Sequence, residues 1–504
     1  MRLLSPAISR LARLRLWNAD EWVHNPVKAQ HAVWQDLLAA GQYTEFGRRN
    51  NFSAIQSIAQ FKTAFPLQEY EHLQPYIERM MAGEENLLWN APVGWFAKSS
   101  GTTSNASKFI PISEESLKDN HYKASKDVLS FYYASHPESD LLTGKGLVIG
   151  GSHQVAHMNE AVQYGDLSAV VVQNAPFWSN WIRTPDLSII LMEEWEEKIE
   201  KLAQATIAEN VTSMAGVPTW LILVLKRILE ITGKSCIKEV WPNLELYLHG
   251  GVSFVPYREQ FRKLIGAPIN YLEMYNASEG FFAAQDAVDS DGMLLMCDHG
   301  IFYEFLPAEN WGDPYAKTLG LNEVQVGKNY GLVITTNGGL WRYLVGDTIQ
   351  FTSLYPFRIK VSGRLKHFMN AFGEEVIIDN TDAAIAHACK VTGAVVKDYT
   401  AAPMYFSDTE NGAHEWLIAF DTLPTSLHQF SEALDTALQK ANGDYAAKRY
   451  KSLALRPPLI YALPAHVFDD WLRSRGKLGG QHKVPRLSNN RTTLEEVKWL
   501  AGLV

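Results

Sequence analysis

Apolar segments of strand length alternate with helical segments through the middle of this 504-residue chain. GKGLVIGG at 144–151, LELYLHGG at 244–251 and APINYLEMYN at 267–276 have the apolar content and the flanking turn residues of buried strands. Between them, EEWEEKIEKLAQATIAEN at 193–210 predicts a charged helix closed by Asn210, and TWLILVLKRILEIT at 219–232 a largely buried helix. Strands that alternate with helices form sheets covered on both faces, so this pattern predicts an α/β fold.

Helices are predicted before this alternating region, and further strands are predicted after it. Up to about residue 90 the chain predicts helices, including one at 25–42 with Gly41 as its C-cap. The apolar segments GIFYEFLP at 300–307 and YGLVITTN at 330–337 predict two further strands.

The C-terminal part predicts a smaller domain. After about residue 357 the sequence becomes polar, basic and punctuated by glycines. One predicted helix and two predicted strands follow, at 378–392, 393–406 and 414–423. We therefore predict a large N-terminal domain over residues 1–360 with helix-covered sheets, and a smaller α+β domain over residues 361–504.

Charge and cysteine content exclude several classes of partner. A net charge of −9 and a pI of about 5.9 give no overall attraction for nucleic acid or for an anionic membrane, so any phosphate site must be local. No apolar run approaches the roughly 18 residues that a membrane-spanning helix needs, and the basic N-terminus lacks a signal peptide's continuous apolar segment. Three widely spaced cysteines, Cys236, Cys297 and Cys389, argue against a disulfide framework, which predicts a cytoplasmic protein.

The densest group of small polar side chains lies in WFAKSSGTTSNASKFIPIS at 95–113. Gly101 is surrounded by five hydroxyl side chains, those of Ser99, Ser100, Thr102, Thr103 and Ser104. A turn centred on glycine points several backbone N–H groups at one position, and neighbouring hydroxyls add donors, which predicts a cradle for a polyphosphate. The P-loop consensus needs a second glycine just before its lysine, and Lys108 has none. An ordinary Ser/Thr turn is the alternative interpretation.

Two carboxylates stand near predicted strand ends. Glu279 follows Tyr275 in YNASEGFF, and a carboxylate at the C-terminal edge of a parallel sheet is well placed to hold a magnesium ion that bridges phosphate oxygens. Asp347, in GGLWRYLVGD, follows a predicted strand and a glycine, where a carboxylate can accept both hydroxyls of a ribose. The alternatives are a helix-capping Ser–Glu pair and an ordinary Asp in a turn.

A basic, glycine-broken segment, RSRGKLGGQHKVPRLSNNR, lies at 473–491. Its first five cationic residues are Arg473, Arg475, Lys477, Lys483 and Arg486. A lysine brought in by a second domain is one way to neutralise charge that develops at phosphorus. A solvated basic surface is the alternative interpretation.

The order of these motifs carries more information than any one of them. A Ser/Thr-Gly turn, Y-x-x-S-E, RYLVGD, a G-R-x-K hinge and a C-terminal lysine loop occur in an order that resembles the adenylate-forming superfamily of acyl and aryl ligases and luciferases. More narrowly, SSGTT, MYNASEG, YEFLP, GLWRYLVGD and HKVPR resemble landmarks of the auxin-responsive acyl-acid amido synthetases, which include plant enzymes that conjugate acids to amino acids. The resemblance runs from about residue 60 to the end of the chain.

This resemblance implies an adenylate-forming architecture with a mobile small domain, ATP and Mg²⁺ as cofactors, and a role for each motif. Ser99, Ser100, Thr102 and Thr103 would hold the β and γ phosphates. Tyr275 and Glu279 would lie at the adenine and at the magnesium ion, Asp347 would hold the ribose, and Lys483 would approach the α-phosphate. Gly250, beside His249, and Arg364, in the hinge motif, would complete the nucleotide site.

The implied reaction has two steps on one site. A small carboxylic acid attacks the α-phosphate of ATP and expels pyrophosphate, and the amine of an amino acid then attacks the acyl-AMP. A ligase that forms a thioester with coenzyme A or a carrier thiol shares every adenylation residue and remains an alternative. A nucleotide-binding sensor without catalysis is a second alternative.

Overall fold

The computed structural model describes residues 15, 21–99, 108–150, 156–159, 161–192, 194–251, 254–364, 369, 374, 376–404, 412–442, 445–446, 449, 455–476, 483–488 and 491–503. These residues divide into two compact units. The first lies within Met1–Val252 and Phe261–Val361, and the second within Ser253–Gln260 and Ser362–Val504. The larger unit is mixed α/β, and the smaller unit is α+β.

Helices dominate the N-terminal part of the first unit, as the sequence predicts. They are Pro26–Gly41, Glu45–Arg49, Ile58–Ala64 and Tyr70–Met81. Gly41 is not the C-cap, however, because it is the last helical residue and Gln42 follows it with right-handed backbone angles. A Cβ on Gly41 would lie 2.3 Å from the ring of Trp341, which is fully buried. Close packing against Trp341 therefore explains the glycine at this position.

Fifteen strands are described in the first unit. In chain order they are β1 (Trp95–Ser99), β2 (Lys108–Ile112), β3 (Lys145–Val148), β4 (Ala156–His157), β5 (Gln163–Gly165), β6 (Arg183–Thr184), β7 (Val211–Gly216), β8 (Leu246–Gly250), β9 (Asn270–Ala277), β10 (Gly280–Ala284), β11 (Met293–Leu295), β12 (Ile301–Pro307), β13 (Asn329–Thr336), β14 (Tyr343–Leu354) and β15 (Phe357–Arg364). The predicted strands at 144–151, 244–251, 267–276, 300–307 and 330–337 are confirmed as β3, β8, β9, β12 and β13.

The large sheet of this unit has the order β12-β13-β14-β15-β11-β10-β9-β8-β7-β3-β6. Its last five strands, from β9 to β6, are parallel, and the strand pairs from β9 to β11 and from β12 to β14 are antiparallel. A smaller sheet has the order β2-β1-β5-β4. β2 is tied to the rest of the unit where it ends, because the Ser113 hydroxyl donates to the Asn337 carbonyl at 2.7 Å.

The remaining helices of this unit connect or precede the strands. They are Lys123–Ser135, which follows the π-helical segment Ser116–Tyr122, and Leu167–Gln173, Leu187–Ile190, Trp195–Thr206, Pro218–Thr232 and Arg258–Ile265, the last of which begins in the second unit. The helix predicted at 193–210 is confirmed, but it ends at Thr206 rather than at Asn210. The reason is the adjacent sheet, because the Asn210 carbonyl accepts a hydrogen bond from the Lys145 amide of β3 at 2.8 Å.

The second unit contains a three-stranded sheet and helices packed against it. Its strands are β16 (Val395–Met404), β17 (Ala413–Thr422) and β18 (Leu459–Leu463), in that order across the sheet. Its helices of eight or more residues are Ile378–Thr392, Leu427–Ala441, Val467–Ser474 and Thr492–Leu500. The helix and the two strands predicted here from sequence are confirmed. In the part of either unit that the structure describes, no helix is long and apolar enough to span a membrane.

Candidate active site

Two of the predicted site residues lie at the carboxyl edge of the parallel strands. β8 ends at Gly250, which is opposite Met274 of the neighbouring parallel strand β9. A Cβ on Gly250 would lie 2.4 Å from the Met274 carbonyl oxygen, so the close approach of β9 requires a glycine here. Ligands of open α/β sheets bind outside this edge, which is the edge from which Glu279 projects after β9.

Glu279 occupies the tight turn between β9 and β10. Ala277 and Gly280 pair with each other, so Ser278 and Glu279 form the two-residue loop of an antiparallel hairpin. The helix-capping alternative for this Ser–Glu pair is therefore wrong, because no helix begins here. Glu279 is partly exposed, as a carboxylate that reaches a ligand must be.

Asp347 lies inside β14 rather than in a turn after a strand. The pairing of β13 with β14 shifts from Val333 opposite Leu344 to Gly331 opposite Thr348, so β14 bulges across residues 345–347. Gly346 has a φ of +92°, a backbone conformation that favours glycine. A bulge redirects the side chains next to it, and this one carries Asp347.

Tyr275 and Asp347 are bonded directly. The Tyr275 hydroxyl donates to Asp347 Oδ2 at 2.8 Å, and both residues are buried. Their strands, β9 and β14, are four positions apart in the sheet order, which in a flat sheet corresponds to roughly 19 Å at about 4.8 Å per strand. The antiparallel half of the sheet must therefore curve strongly, and this curvature brings two predicted site residues together.

Tyr343, the first residue of β14, is buried, and its hydroxyl is influenced by the charge of Glu279. Burial raises the pKa of Tyr343 well above its ordinary value, and the negative charges of Glu279 and Glu71 raise it further. Tyr343 also forms a β-bridge with Gln68, just before the helix Tyr70–Met81. Tyr275 and Asp347 are thus bonded to each other, and Glu279 lies in the turn that follows β9, the strand that carries Tyr275.

The hydroxyl-rich segment begins where β1 ends. Ser99 is the last residue of β1 and stands opposite Lys108 of β2, while Ser100, Thr102, Thr103 and the side chain of Ser99 lie outside the described residues. The Lys108 ammonium lies 5.4 Å from the centre of the Tyr70 ring, and the Tyr70 hydroxyl accepts a hydrogen bond from the Phe109 amide at 2.9 Å. These contacts anchor the start of β2 to the helix Tyr70–Met81.

The remaining predicted site residues fall on β15 and in the second unit. Arg364 is the last residue of β15, and its side chain lies outside the described residues. Lys483 is exposed. Arg486, three residues later, has a side chain that is only 11% exposed and contacts acidic and aromatic side chains, so the solvated-surface interpretation is wrong for this residue.

Sequence reasoning missed a second buried arginine, Arg342, which lies within the motif GGLWRYLVGD. Its Nη2 is 3.0 Å from Glu304 Oε2, and both side chains are almost completely buried. Its Nη1 donates to the Phe65 carbonyl at 2.6 Å and also to the Lys62 carbonyl. Arg342 therefore ties the segment after the helix Ile58–Ala64 to β12.

The acidic donors fit a magnesium ion that is bound together with a nucleotide. Among the described residues, no group of three or more His, Cys, Asp or Glu side chains is arranged to hold a metal ion alone. Mg²⁺ in nucleotide sites usually takes one or two carboxylates and fills its other positions with phosphate oxygens and water. The partly exposed carboxylate of Glu279 is a donor of this kind.

Comparisons with known proteins agree on one family. Family models match the chain as the GH3 family N-terminal domain over residues 15–269, the GH3 family central domain over residues 294–364 and the GH3 family C-terminal domain over residues 379–492. Indole-3-acetic acid-amido synthetase GH3.3 of Arabidopsis thaliana is 22% identical over 561 residues, covering 96% of this chain and 92% of that protein. Jasmonoyl–L-amino acid synthetase JAR4 of Nicotiana attenuata is 23% identical over 392 residues, covering 65% of this chain and 67% of that protein.

Solved structures show the same fold. The AtGH3.15 acyl acid amido synthetase in complex with 2,4-DB has a TM-score of 0.80 and 18% identity, and the match covers 97% of this chain and 96% of that chain. A 2-hydroxyisobutyryl-CoA ligase in the postadenylation state has a TM-score of 0.59 and 12% identity, with 94% of this chain and 92% of that chain covered.

Proposed function

Because the chain belongs to the GH3 family, we propose that it is an acyl-acid amido synthetase, which activates a small carboxylic acid with ATP and transfers the acyl group to an amino acid. In the first step a carboxylate oxygen bonds to the α-phosphorus of ATP as the bond to pyrophosphate breaks. In the second step the amine nitrogen bonds to the acyl carbon, AMP leaves and the amine loses a proton. The products are an amide, AMP and pyrophosphate.

The observation that carries this proposal is the hydrogen bond that joins Tyr275 to Asp347, with Glu279 in the turn that follows the strand of Tyr275. The Asp347 carboxylate is suited to accept the two hydroxyls of a ribose, and the Tyr275 hydroxyl holds one of its oxygens at 2.8 Å. Gly250 ends β8 at this edge of the sheet, and we propose that the adenine lies beside it. We propose that Ser99, Ser100, Thr102 and Thr103 hold the β and γ phosphates and that Arg364 also contacts the nucleotide.

We propose that Glu279 holds Mg²⁺ and that Lys483 supplies a positive charge at the α-phosphate. Mg²⁺, when bound, would neutralise charge on the phosphate oxygens. The ammonium of Lys483 would stabilise the negative charge that grows on the α-phosphate as pyrophosphate leaves. Residues 361–504, as a mobile small domain, would deliver this lysine, and exposure of Lys483 is consistent with a group that must reach a ligand.

The substrates are a carboxylic acid and an amino acid, and their identities are open. Relatives are named for indole-3-acetic acid and for jasmonoyl conjugation, and a structural relative was solved with 2,4-DB. We propose that this chain also takes a small apolar acid, because these three acids share an apolar body with one carboxylate. A cytoplasmic location is our proposal too, since the three cysteines have free thiols suited to a reducing compartment.

ATP–pyrophosphate exchange tests the first step without knowledge of the amino acid. Incubation with ATP, Mg²⁺, radiolabelled pyrophosphate and a pool of carboxylic acids should return label into ATP only when the acid is present, because acyl-AMP formation is reversible. ADP and inorganic phosphate as the products would contradict adenylation. Tight ATP binding with no exchange for any acid would favour the sensor alternative.

Tyr275→Phe should weaken ATP binding without loss of the fold. The variant loses a hydrogen bond to a charged carboxylate, and such bonds contribute about 1.5–3 kcal/mol. Since part of this loss is recovered by rotation of Asp347, we expect the KM for ATP to rise by about tenfold, which corresponds to about 1.4 kcal/mol, with a smaller change in kcat. Initial rates of pyrophosphate release at varied ATP measure both constants.

Tyr133→Phe is the matched control for this substitution. The Tyr133 hydroxyl is also buried and accepts a hydrogen bond from the Leu142 amide at 3.1 Å, in a part of the unit with no predicted nucleotide contact. The KM of Tyr133→Phe for ATP should equal that of the parent protein. An unchanged KM in Tyr275→Phe would remove Tyr275 from the nucleotide site.

A further inference from the structure

The segment that follows Lys483 is anchored at every residue. Val484 is buried in an apolar cluster that includes Leu417 and Phe468. The Pro485 carbonyl accepts a hydrogen bond from the Thr400 hydroxyl at 2.6 Å. Lys483 is therefore the exposed end of a short segment whose following residues are held in the second unit.

The anchoring continues through the backbone of the next three residues. The Arg486 carbonyl accepts a hydrogen bond from the Ala401 amide at 2.8 Å, and the Ser488 amide donates to the Ala401 carbonyl at 3.2 Å. Leu487 forms a parallel bridge with Ala401 and is fully buried. The segment thus lies beside β16, held there by a single parallel bridge.

Arg486 makes the strongest side-chain contacts of this segment. Its Nη1 donates to both carboxylate oxygens of Asp382, at 2.8 and 3.1 Å, and its Nη2 donates to the Tyr257 hydroxyl at 3.2 Å. The guanidinium also lies 5.1 Å from the centre of the Tyr399 ring, and its Nε is 3.8 Å from Asp398. Bidentate bonding to a carboxylate and stacking on an aromatic ring together favour one position of a guanidinium. These contacts therefore also restrain the backbone of Arg486.

We propose that Arg486 is a positioning residue for Lys483: its ion pair with Asp382 fixes the segment 484–487 and thereby the place from which the Lys483 ammonium extends. The inference rests on the proposed function, because it assumes that Lys483 acts in adenylation. Lys483 is joined to Arg486 by only two residues, one buried and one a proline, so the segment has little freedom to absorb a displacement. Loss of the ion pair should therefore displace the ammonium from its working position.

A double-mutant cycle separates this role from a merely structural one. We expect Arg486→Gln to lower the rate of acid-dependent ATP–pyrophosphate exchange by roughly 10- to 100-fold, the range expected when a catalytic group is displaced by about 1 Å. In the Lys483→Ala background the same substitution should cause no further loss, because the group that it positions is already gone. Asp382→Asn, which removes the charge and keeps the side-chain shape, is the second variant and should give the same pattern.

Arg449→Gln is the matched control. Arg449 is another largely buried arginine of the second unit, with Nη2 2.6 Å and Nε 2.7 Å from the two oxygens of Asp435. Its loss should lower the unfolding midpoint to an extent comparable with Arg486→Gln. ATP–pyrophosphate exchange should be measured well below the unfolding transitions of both arginine variants. Under these conditions Arg449→Gln should exchange at the parent rate.

Three results would overturn the proposal. Equal losses from Arg486→Gln in the parent protein and in the Lys483→Ala background would show that Arg486 acts independently of the lysine. An equal loss in Arg449→Gln would assign the effect to stability alone. If Lys483→Ala exchanged label at the parent rate, neither Lys483 nor Arg486 would have the proposed role in adenylation. Amide formation by the parent protein would still support the proposed function.

Discussion

Lys483→Ala is expected to lower the rate of acyl-adenylate formation by at least about 100-fold, equivalent to about 3 kcal/mol of transition-state stabilisation. Expulsion of pyrophosphate concentrates negative charge around the α-phosphorus, and a fixed ammonium in a site closed to water offsets much of that charge. Lys483 is exposed, and substitutions at exposed positions usually change the free energy of unfolding by no more than about 0.5 kcal/mol. Acid-dependent pyrophosphate release, together with urea unfolding, measures both quantities.

Lys390→Ala provides the matched comparison. Lys390 is also an exposed lysine of the second unit, near the end of the helix Ile378–Thr392. Its substitution removes the same charge from the same unit, so a purely electrostatic effect of net charge would appear in both variants. Pyrophosphate release near the parent rate in Lys483→Ala, or an equal loss in Lys390→Ala, would exclude Lys483 from the reaction.

Arg342→Met should produce the largest loss of stability among single substitutions in the first unit that we consider. The variant leaves Glu304 fully buried without its cationic partner, and the Phe65 carbonyl loses a donor at 2.6 Å. Removing one member of a buried ion pair usually costs about 3–5 kcal/mol. Urea denaturation should show this difference in the free energy of unfolding.

Two further variants test whether the loss of stability in Arg342→Met is caused by the buried, unpaired charge of Glu304. In Glu304→Leu/Arg342→Met no charge is left unpaired, so the double variant should recover part of the stability that Arg342→Met loses. Arg79→Ala breaks an ion pair with Glu45 that has a similar distance, 2.7 Å, but is exposed, and it should leave the unfolding midpoint nearly unchanged. If Arg79→Ala lost as much stability as Arg342→Met, burial of the ion pair would not be the cause of the loss.

The elements that the sequence predicts well are those with local signals. The apolar segments that contain β3 and β8 are closed by paired glycines, and the helix Pro218–Thr232 begins at a proline and is capped by Gly233 with a φ of +64°. Gly41 shows the limit of such signals. Its place at a helix end suggests a cap, whereas the ring of Trp341, which is far away in the sequence, determines the choice of glycine.

The sequence predicts the residues of the candidate site one by one, but it does not predict which of them contact each other. Tyr275 and Asp347 were identified from the order of the motifs, yet their hydrogen bond depends on the curvature of a sheet across four strands. Local patterns carry no information about that curvature. The expected roles of the hydroxyl-rich segment stay predictions, because Ser100, Thr102 and Thr103 lie outside the described residues.

Buried ion pairs were the least predictable feature. Arg486 stands in a basic run that is typical of a solvated surface, and its partner Asp382 is 104 residues away in the chain. Arg342 and Glu304 are 38 residues apart, with Glu304 on β12 and Arg342 just before β14. Tertiary contacts, and not local sequence patterns, account for the burial of each arginine.

Product identification by mass spectrometry tests the central claim most directly. The protein should be incubated with ATP, Mg²⁺, a pool of carboxylic acids, a pool of amino acids and coenzyme A. An amido synthetase yields AMP and the mass of an acid joined to an amino acid with loss of water, which would also identify both substrates. AMP together with a coenzyme A thioester and no amide would contradict this account and place the protein among the thioester-forming ligases.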